Sequence, residues 1–431
     1  DGSIKVRPWD DNRVANPLLN RSVDDKYYRT QTFNSSVYGK LTLPFGFTWQ
    51  TTFNVRYGWR KDYYFDSDIK PGVVAGGKAK RVDYSDYEWS IDNMLKWNRT
   101  FAKIHNFDFT FVYTAEKYQN WQSTGNNEGF QPNGALSYHG IQAGITPTVS
   151  ANDEMQTGNG LLWRLNYSLM DRYLLTGSVR RDGFSAFGQN NPFGIFSTVA
   201  AGWRISEEKF LKDVKWINNL KLRASWGQLG NINNVGQYDY FSSYQQGGNY
   251  NFEDAIVSGI VESKPANPTL GWETVTITDI GVDFDIFNGL LNFTADYYNK
   301  KTDDILLAYP SPKEIGIGSD FKVSQNIGTV SNKGLELSIT HNKTLGDFAY
   351  TVGFNMSKNW NKVTNLGAND PIIESPWIKK VGYAIGTFYG YRSDGLLTQE
   401  DIDTGNYITD GLVPQAGDIK YVDLDGDGKL T

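Results

Sequence analysis

Apolar and polar residues alternate along much of this chain with a period of two. Between 47 and 59, Phe47, Trp49, Thr51, Phe53, Val55, Tyr57 and Trp59 form one set, and Thr48, Gln50, Thr52, Asn54, Arg56 and Gly58 the other. Successive side chains of a strand point to opposite sides, so the pattern predicts a strand with one greasy and one wet face. It exceeds the roughly 5–6 residues of a globular strand. It suits a tilted strand crossing a bilayer, which needs about 9–11. The alternation recurs at 87–97, 107–115, 161–169, 173–179, 199–205, 220–226, 280–286, 291–297, 335–339 and 348–356. Including the first, this predicts about a dozen strands.

The links between strands sharpen the picture. Short ones fall at 44–46, 100–106, 170–172, 287–289 and 343–347, with an intermediate one at 207–217. Long ones fall at 62–84, 119–159, 183–194, 229–271, 304–332 and from 362 onward. A soluble sandwich has no reason to alternate in this way. An outer-membrane barrel does, because its turns are short on the periplasmic side and its loops long outside. The fold expected is all-β: an antiparallel transmembrane barrel wall. A short helix is expected over Glu207–Trp216, opened by Ser206 as a cap, with an irregular turn as the alternative.

Composition removes competing classes. Mean hydropathy is -0.49, and no run approaches the roughly 18 consecutive apolar residues of a spanning helix. Aromatics make up 15% of the chain, too much buriable surface for a disordered one. Trp and Tyr also suit the two water–lipid interfaces of a barrel. With 42 basic against 48 acidic residues and no basic run, nothing invites nucleic acid. Cysteine is absent and His numbers three, so disulfides, thiol chemistry and a His-rich metal site fall away. His105 is expected in a short turn and His341 at a strand end. Adjacent acids such as Asp303 and Asp304 would face opposite ways in a strand, and no Gly-x-Ser-x-Gly elbow is present, so catalysis is not expected.

Several segments resemble the SusC/RagA-like TonB-dependent transporters of Bacteroidetes outer membranes. They are, in order, the hairpin 166–183 ending Arg180-Arg-Asp-Gly, Phe187-Gly, Val199-Ala-Ala-Gly-Trp-Arg-Ile-Ser-Glu-Glu, and Leu220-Lys-Leu-Arg-Ala-Ser-Trp-Gly-Gln-Leu-Gly-Asn. Asn267-Pro-Thr-Leu-Gly-Trp-Glu, Asp296-Tyr-Tyr-Asn-Lys-Lys-Thr-Asp-Asp-Ile-Leu, Asn326-Ile-Gly-Thr-Val-Ser-Asn-Lys-Gly-Leu-Glu, Ile385-Gly-Thr-Phe-Tyr-Gly-Tyr and Gly417-Asp-Ile-Lys-Tyr-Val-Asp-Leu-Asp-Gly-Asp-Gly follow. The ordered set is specific over about 160–431 and looser over 10–120. The resemblance implies energised nutrient import: a SusD-like surface lipoprotein captures an oligosaccharide or peptide, and TonB drives its passage. The family's signal peptide, TonB box, plug domain and last strands have no counterpart in 1–431, so this stretch is expected to be part of a roughly 22-stranded barrel. Two other classes compete. One is a secreted or surface-attached β-rich glycan-binding protein; the other is an outer-membrane enzyme barrel.

Two residue groups are candidates for chemistry. Trp121 and Tyr138 lie in the expected 119–159 loop, and Tyr240, Phe241, Tyr244 and Tyr250 in the 229–271 loop, all among amides and glycines. Flat rings stack on sugar faces while amides bond hydroxyls; the alternative is that the rings pack the loops together. Asp423, Asp425 and Asp427, with Gly428, match the first half of a calcium loop, in which alternating carboxylates surround Ca²⁺ and Gly permits the sharp turn. An acidic turn without an ion is the alternative.

Overall fold

The computed structural model describes residues 16, 18, 25–68, 75–130, 136–188, 190–233, 235–252, 255–310, 322–368, 370–405, 407–408, 413–424 and 426. Its strands are, in chain order, β1 (Asp25–Thr42), β2 (Phe47–Asp66), β3 (Lys78–Phe101), β4 (His105–Glu128), β5 (Thr148–Leu169), β6 (Tyr173–Phe184), β7 (Phe193–Arg204) and β8 (Ile217–Asn231). The short β9 (Ser243–Gln246), β10 (Tyr250–Phe252), β11 (Ala255–Val257) and β12 (Ile260–Lys264) follow. Next come β13 (Glu273–Ile286), β14 (Leu291–Pro310), β15 (Lys322–Leu345) and β16 (Phe348–Asn365). The remainder holds β17 (Ile372–Glu374), β18 (Trp377–Lys379), β19 (Thr387–Phe388), β20 (Ser393–Leu396), the α-helix Gln399–Thr404 and β21 (Ile419–Tyr421).

Among the described residues, β1–β8 and β13–β16 form one 12-stranded antiparallel sheet, each strand beside its predecessor in this order. Within this sheet every strand except β1 alternates as the sequence predicts. Trp49, Phe53 and Trp59 on β2 share the outward face with Phe33 and Val37 on β1 and Trp163 and Leu165 on β5, and all are exposed. The opposite face carries Asn54, Arg56, Glu88, Glu116 and Asp182. An apolar face without a covering layer is stable where lipid takes the place of water.

The short turns are closed by backbone chemistry. Ala102 and Lys103, and Met170 and Asp171, both adopt positive φ, the conformation in which a turn's twist matches that of its strands. Gly46 combines φ of 86° with a backbone approach so close that a Cβ would lie 2.4 Å from the Asn98 carbonyl oxygen. No side chain fits there.

Three expectations change. First, the strands outrun their periodic cores. β3 and β4 have 24 residues each, about 80 Å of strand, far more than a bilayer requires. Much of the expected 62–84, 119–159 and 304–332 loops is therefore strand. Outside the membrane the outward face meets water, so the apolar alternation ends while the hydrogen-bond ladder continues. Second, β1 is a strand outside the predicted runs and has no clean alternation, because Arg29, Gln31, Ser35 and Gly39 interrupt its outward row. Its pairing with β2 specifies it instead. Third, 207–216 is not an α-helix. A single 3-10 turn spans Ile205–Glu207 and turns follow it. An α-helix is instead described at Gln399–Thr404, where Thr398 and Asp401 cap one another.

The wall is one layer thick, so its buried clusters lie at the long-loop end. One joins Tyr63, Phe65, Ala79, Phe130 and Tyr138, a second Phe184, Ala186, Phe187 and Leu270, and a third Val330, Val363 and Leu366.

Candidate functional site

The inner face of the wall is a polar lattice built by cross-strand pairing. Ser36 donates to Asn54 at 2.7 Å, and Asn54 donates to Ser90 at 3.1 Å, linking β1, β2 and β3. The Tyr84 and Tyr118 hydroxyls meet at 2.6 Å, and Asn120 donates to Glu154 at 3.0 Å. Farther along, Arg223 on β8 donates to Asp283 on β13 at 2.8 Å and pairs with Asp296 on β14 at 2.9 Å. Gly281 lies between them; a Cβ there would sit 2.8 Å from the guanidinium. That glycine is what lets one arginine bridge both neighbours. Partly exposed ion pairs contribute about 0–1 kcal/mol each. Their effect is to fix an aqueous surface of defined donors and acceptors.

At the outer rim the loops pack through a motif that sequence reasoning treated only as a family marker. In Asn267–Glu273, Leu270 is 0% exposed within the Phe184–Phe187 cluster, and the Trp272 ring lies 4.7 Å from that of Phe187 and 5.5 Å from that of Phe196. Glu273, 3% exposed, accepts from the Leu306 backbone N–H at 2.9 Å and from the Asn231 side chain at 2.8 Å. Asn190 and Asn191 donate to the Pro268 and Thr269 carbonyls, and Asn326 donates to that of Gly271. The motif ties β8, β14, β15 and the 185–192 link together. The apolar-polar mixture of Leu-Gly-Trp-Glu at a strand start was the available signal.

Tyr240 and Phe241, with rings 4.0 Å apart, join Phe184, Phe187, Phe193 and Asn190 around a cavity of about 570 Å³. Its lining carries no charged side chain. Thr157, Asn159 and Phe193 belong to the outward rows of β5 and β7, so the cavity opens on the outer flank of the rim.

The other aromatic candidates lie apart from this cavity. Trp121 stands on the outward row of β4, opposite Asp153 on β5. Tyr138 is 7% exposed, its ring 5.7 Å from that of Tyr63; here the packing alternative describes what the side chain does. Tyr244 on β9 and Tyr250 on β10 are exposed on the small hairpins of the 232–272 link. Of the calcium candidates, Asp423 accepts from the Gly426 backbone N–H at 2.6 Å. Asp425 and Asp427 lie outside the described residues.

At the short-turn end, Glu208 accepts from the Tyr173 hydroxyl at 2.6 Å and the Trp203 indole at 3.1 Å, with Arg172 beside it. The Tyr173 and Trp203 hydrogen bonds hold its carboxyl below the usual carboxylate range. This explains the Trp-Arg-Ile-Ser-Glu-Glu string: its second Glu locks the link to the strand before it.

Comparison with known proteins adds a family match, two relatives and two solved structures. The family model described as TonB dependent receptor-like, beta-barrel matches residues 2–423. TonB-dependent receptor P3 of Formosa agariphila is 30% identical over 456 residues, covering 100% of this chain and 44% of the relative. TonB-dependent receptor SusC of Bacteroides thetaiotaomicron is 37% identical over 247 residues, 53% of this chain and 24% of the relative. Among solved structures, the RagAB peptide transporter matches with a TM-score of 0.77 at 22% identity, covering 89% of this chain and 42% of that one. The Escherichia coli outer membrane transporter YddB matches with a TM-score of 0.54 at 11% identity, covering 85% and 48%. The chain thus spans less than half the length of these proteins.

Proposed function

Because this chain belongs to the TonB-dependent receptor-like β-barrel family and forms part of an outer-membrane barrel wall, we propose that it lines the path of a TonB-driven nutrient importer. The observation that carries this reading is the continuous polar inner face, running from Asn54 and Ser90 to Arg223 and Asp283 behind an apolar outward face. Such a wall divides lipid from an aqueous route.

The nutrient is an oligosaccharide or a peptide. The uncharged aromatic and amide lining around Tyr240 and Phe241, open on the outer flank of the rim, suits capture of sugar rings outside the cell rather than of charged chain ends. A SusD-like lipoprotein meets the loop layer from outside, where Phe241, Tyr244 and Tyr250 stand exposed. TonB engages the barrel from the periplasmic side. The Asp423–Gly428 turn is a calcium site in this reading, and the Asp423–Gly426 bond supports the tight turn it requires.

The tests use the intact transporter in cells. Uptake stops when the proton gradient is collapsed, and a SusD-like lipoprotein co-purifies. Y240A/F241A weakens uptake affinity about tenfold, or about 1.4 kcal/mol. Unaltered affinity would remove the rim cavity from the path, and gradient-independent uptake would remove TonB. Calorimetry with Ca²⁺ tests the turn; no heat at millimolar ion removes it.

A further inference from the structure

The outward face carries a second chemistry at its outer border. Pairing of β14, β15 and β16 places Tyr297, Leu335 and Lys358 in one row, and Asn299, Lys333 and Trp360 in the next. Lys301, Ser331 and Lys362 form the row above. Paired residues share a face. Strands lie about 4.8 Å apart and same-face rows about 7 Å apart. Four ammonium groups therefore root in a patch about 10 Å by 14 Å. The rows beneath are apolar: Ala295, Leu337 and Met356, then Phe293, Ile339 and Phe354.

All four lysines are exposed. Asp303 pairs with Lys301 at 2.8 Å. Among the described residues, no ion pair is formed by Lys333, Lys358 or Lys362. Like charges this close repel, and the wall does little to neutralise them. The patch lies on the long-loop side of the apolar rows, the side that faces out in an outer-membrane barrel, where the outer leaflet's headgroups are expected. Trp360, in its midst, is the residue type that favours this interface.

We propose that the patch binds a phosphate-bearing lipid of the outer leaflet. Lys333, Lys358 and Lys362 meet the phosphates, and the acyl chains lie along Leu335, Met356 and Phe354. Clustered cations bind anionic headgroups electrostatically, and the apolar rows directly below supply the second half of an amphipathic site. A free anion would use only the first half.

The test is native mass spectrometry of the intact detergent-purified transporter with lipid A and with its dephosphorylated form. The parent retains lipid A in preference to the dephosphorylated form, and millimolar inorganic phosphate does not displace it. K333Q/K358Q/K362Q lowers lipid A binding at least about tenfold, whereas K333R/K358R/K362R keeps it. Equal binding of both lipid forms by the parent, a comparison that needs no variant, overturns the proposal. Displacement by inorganic phosphate or undiminished binding in the Gln variant does so too.

Discussion

Single side chains on this wall have opposite consequences one position apart. Val55 points outward near the middle of the apolar run of β2, while Asn54 points inward between Ser36 and Ser90. Val55→Arg is expected to cost about 2–4 kcal/mol, and Asn54→Arg to leave folding intact. Urea unfolding in detergent measures both, and equal damage would reverse the facing. Leu270 is a core residue in a protein with little core. Leu270→Ala leaves a void in the Phe184–Phe187 cluster and is expected to cost about 2–5 kcal/mol. The loss should appear as protease sensitivity of the 185–192 and 232–272 links, with the membrane-embedded strands still protected. The sequence announced Val55 and Asn54 through their alternation. It was silent on Leu270, because one leucine in a Gly- and Asn-rich link has no period to reveal what covers it.

At the scale of elements, the link between β7 and β8 is held by a titrating group. Hydrogen bonds from Tyr173 and Trp203 lower the Glu208 pKa in the folded state. The stabilisation is then fully present above the unfolded carboxylate pKa and is lost as pH falls through the lowered folded value. Hydrogen exchange across 205–216 should stay slow at neutral pH and rise under strong acid, while Glu208→Gln removes this acid sensitivity. Unchanged exchange in acid would show that the backbone turns alone hold the link. The Asp401 carboxyl, lowered by Lys420 and by the Thr398 cap, stabilises the helix Gln399–Thr404 in the same sense. Strands were legible wherever lipid enforces alternation. Their outer extensions, β1 and this helix were not, because pairing and capping specify them and neither leaves a hydrophobic period.

For the whole molecule, the arrangement predicts behaviour in solution. An outward face bearing Trp49, Phe53, Trp163, Leu165 and Phe354, all exposed, requires lipid or detergent. The intact protein should remain dispersed only above the critical micelle concentration, and light scattering on dilution checks it. A monodisperse species without detergent would contradict the membrane assignment and return the secreted glycan-binding class to consideration.

The sequence by itself determined that the chain is a wall: period-two alternation with alternating short and long links assigns the faces of every sheet strand but β1, and the outer side. Those properties are local, since each residue's facing follows from its neighbours and from the solvent on each side. Only the tertiary structure decided which aromatics meet. Tyr240 and Phe241 reach a cavity, Tyr138 is packed into a core, and Trp121 stands on the outer flank. It also gathered Lys301, Lys333, Lys358 and Lys362 around Trp360. The loop aromatics depend on how links far apart in the chain pack together, and the lysine patch on strand register, where a shift of one residue would move those side chains to the other face.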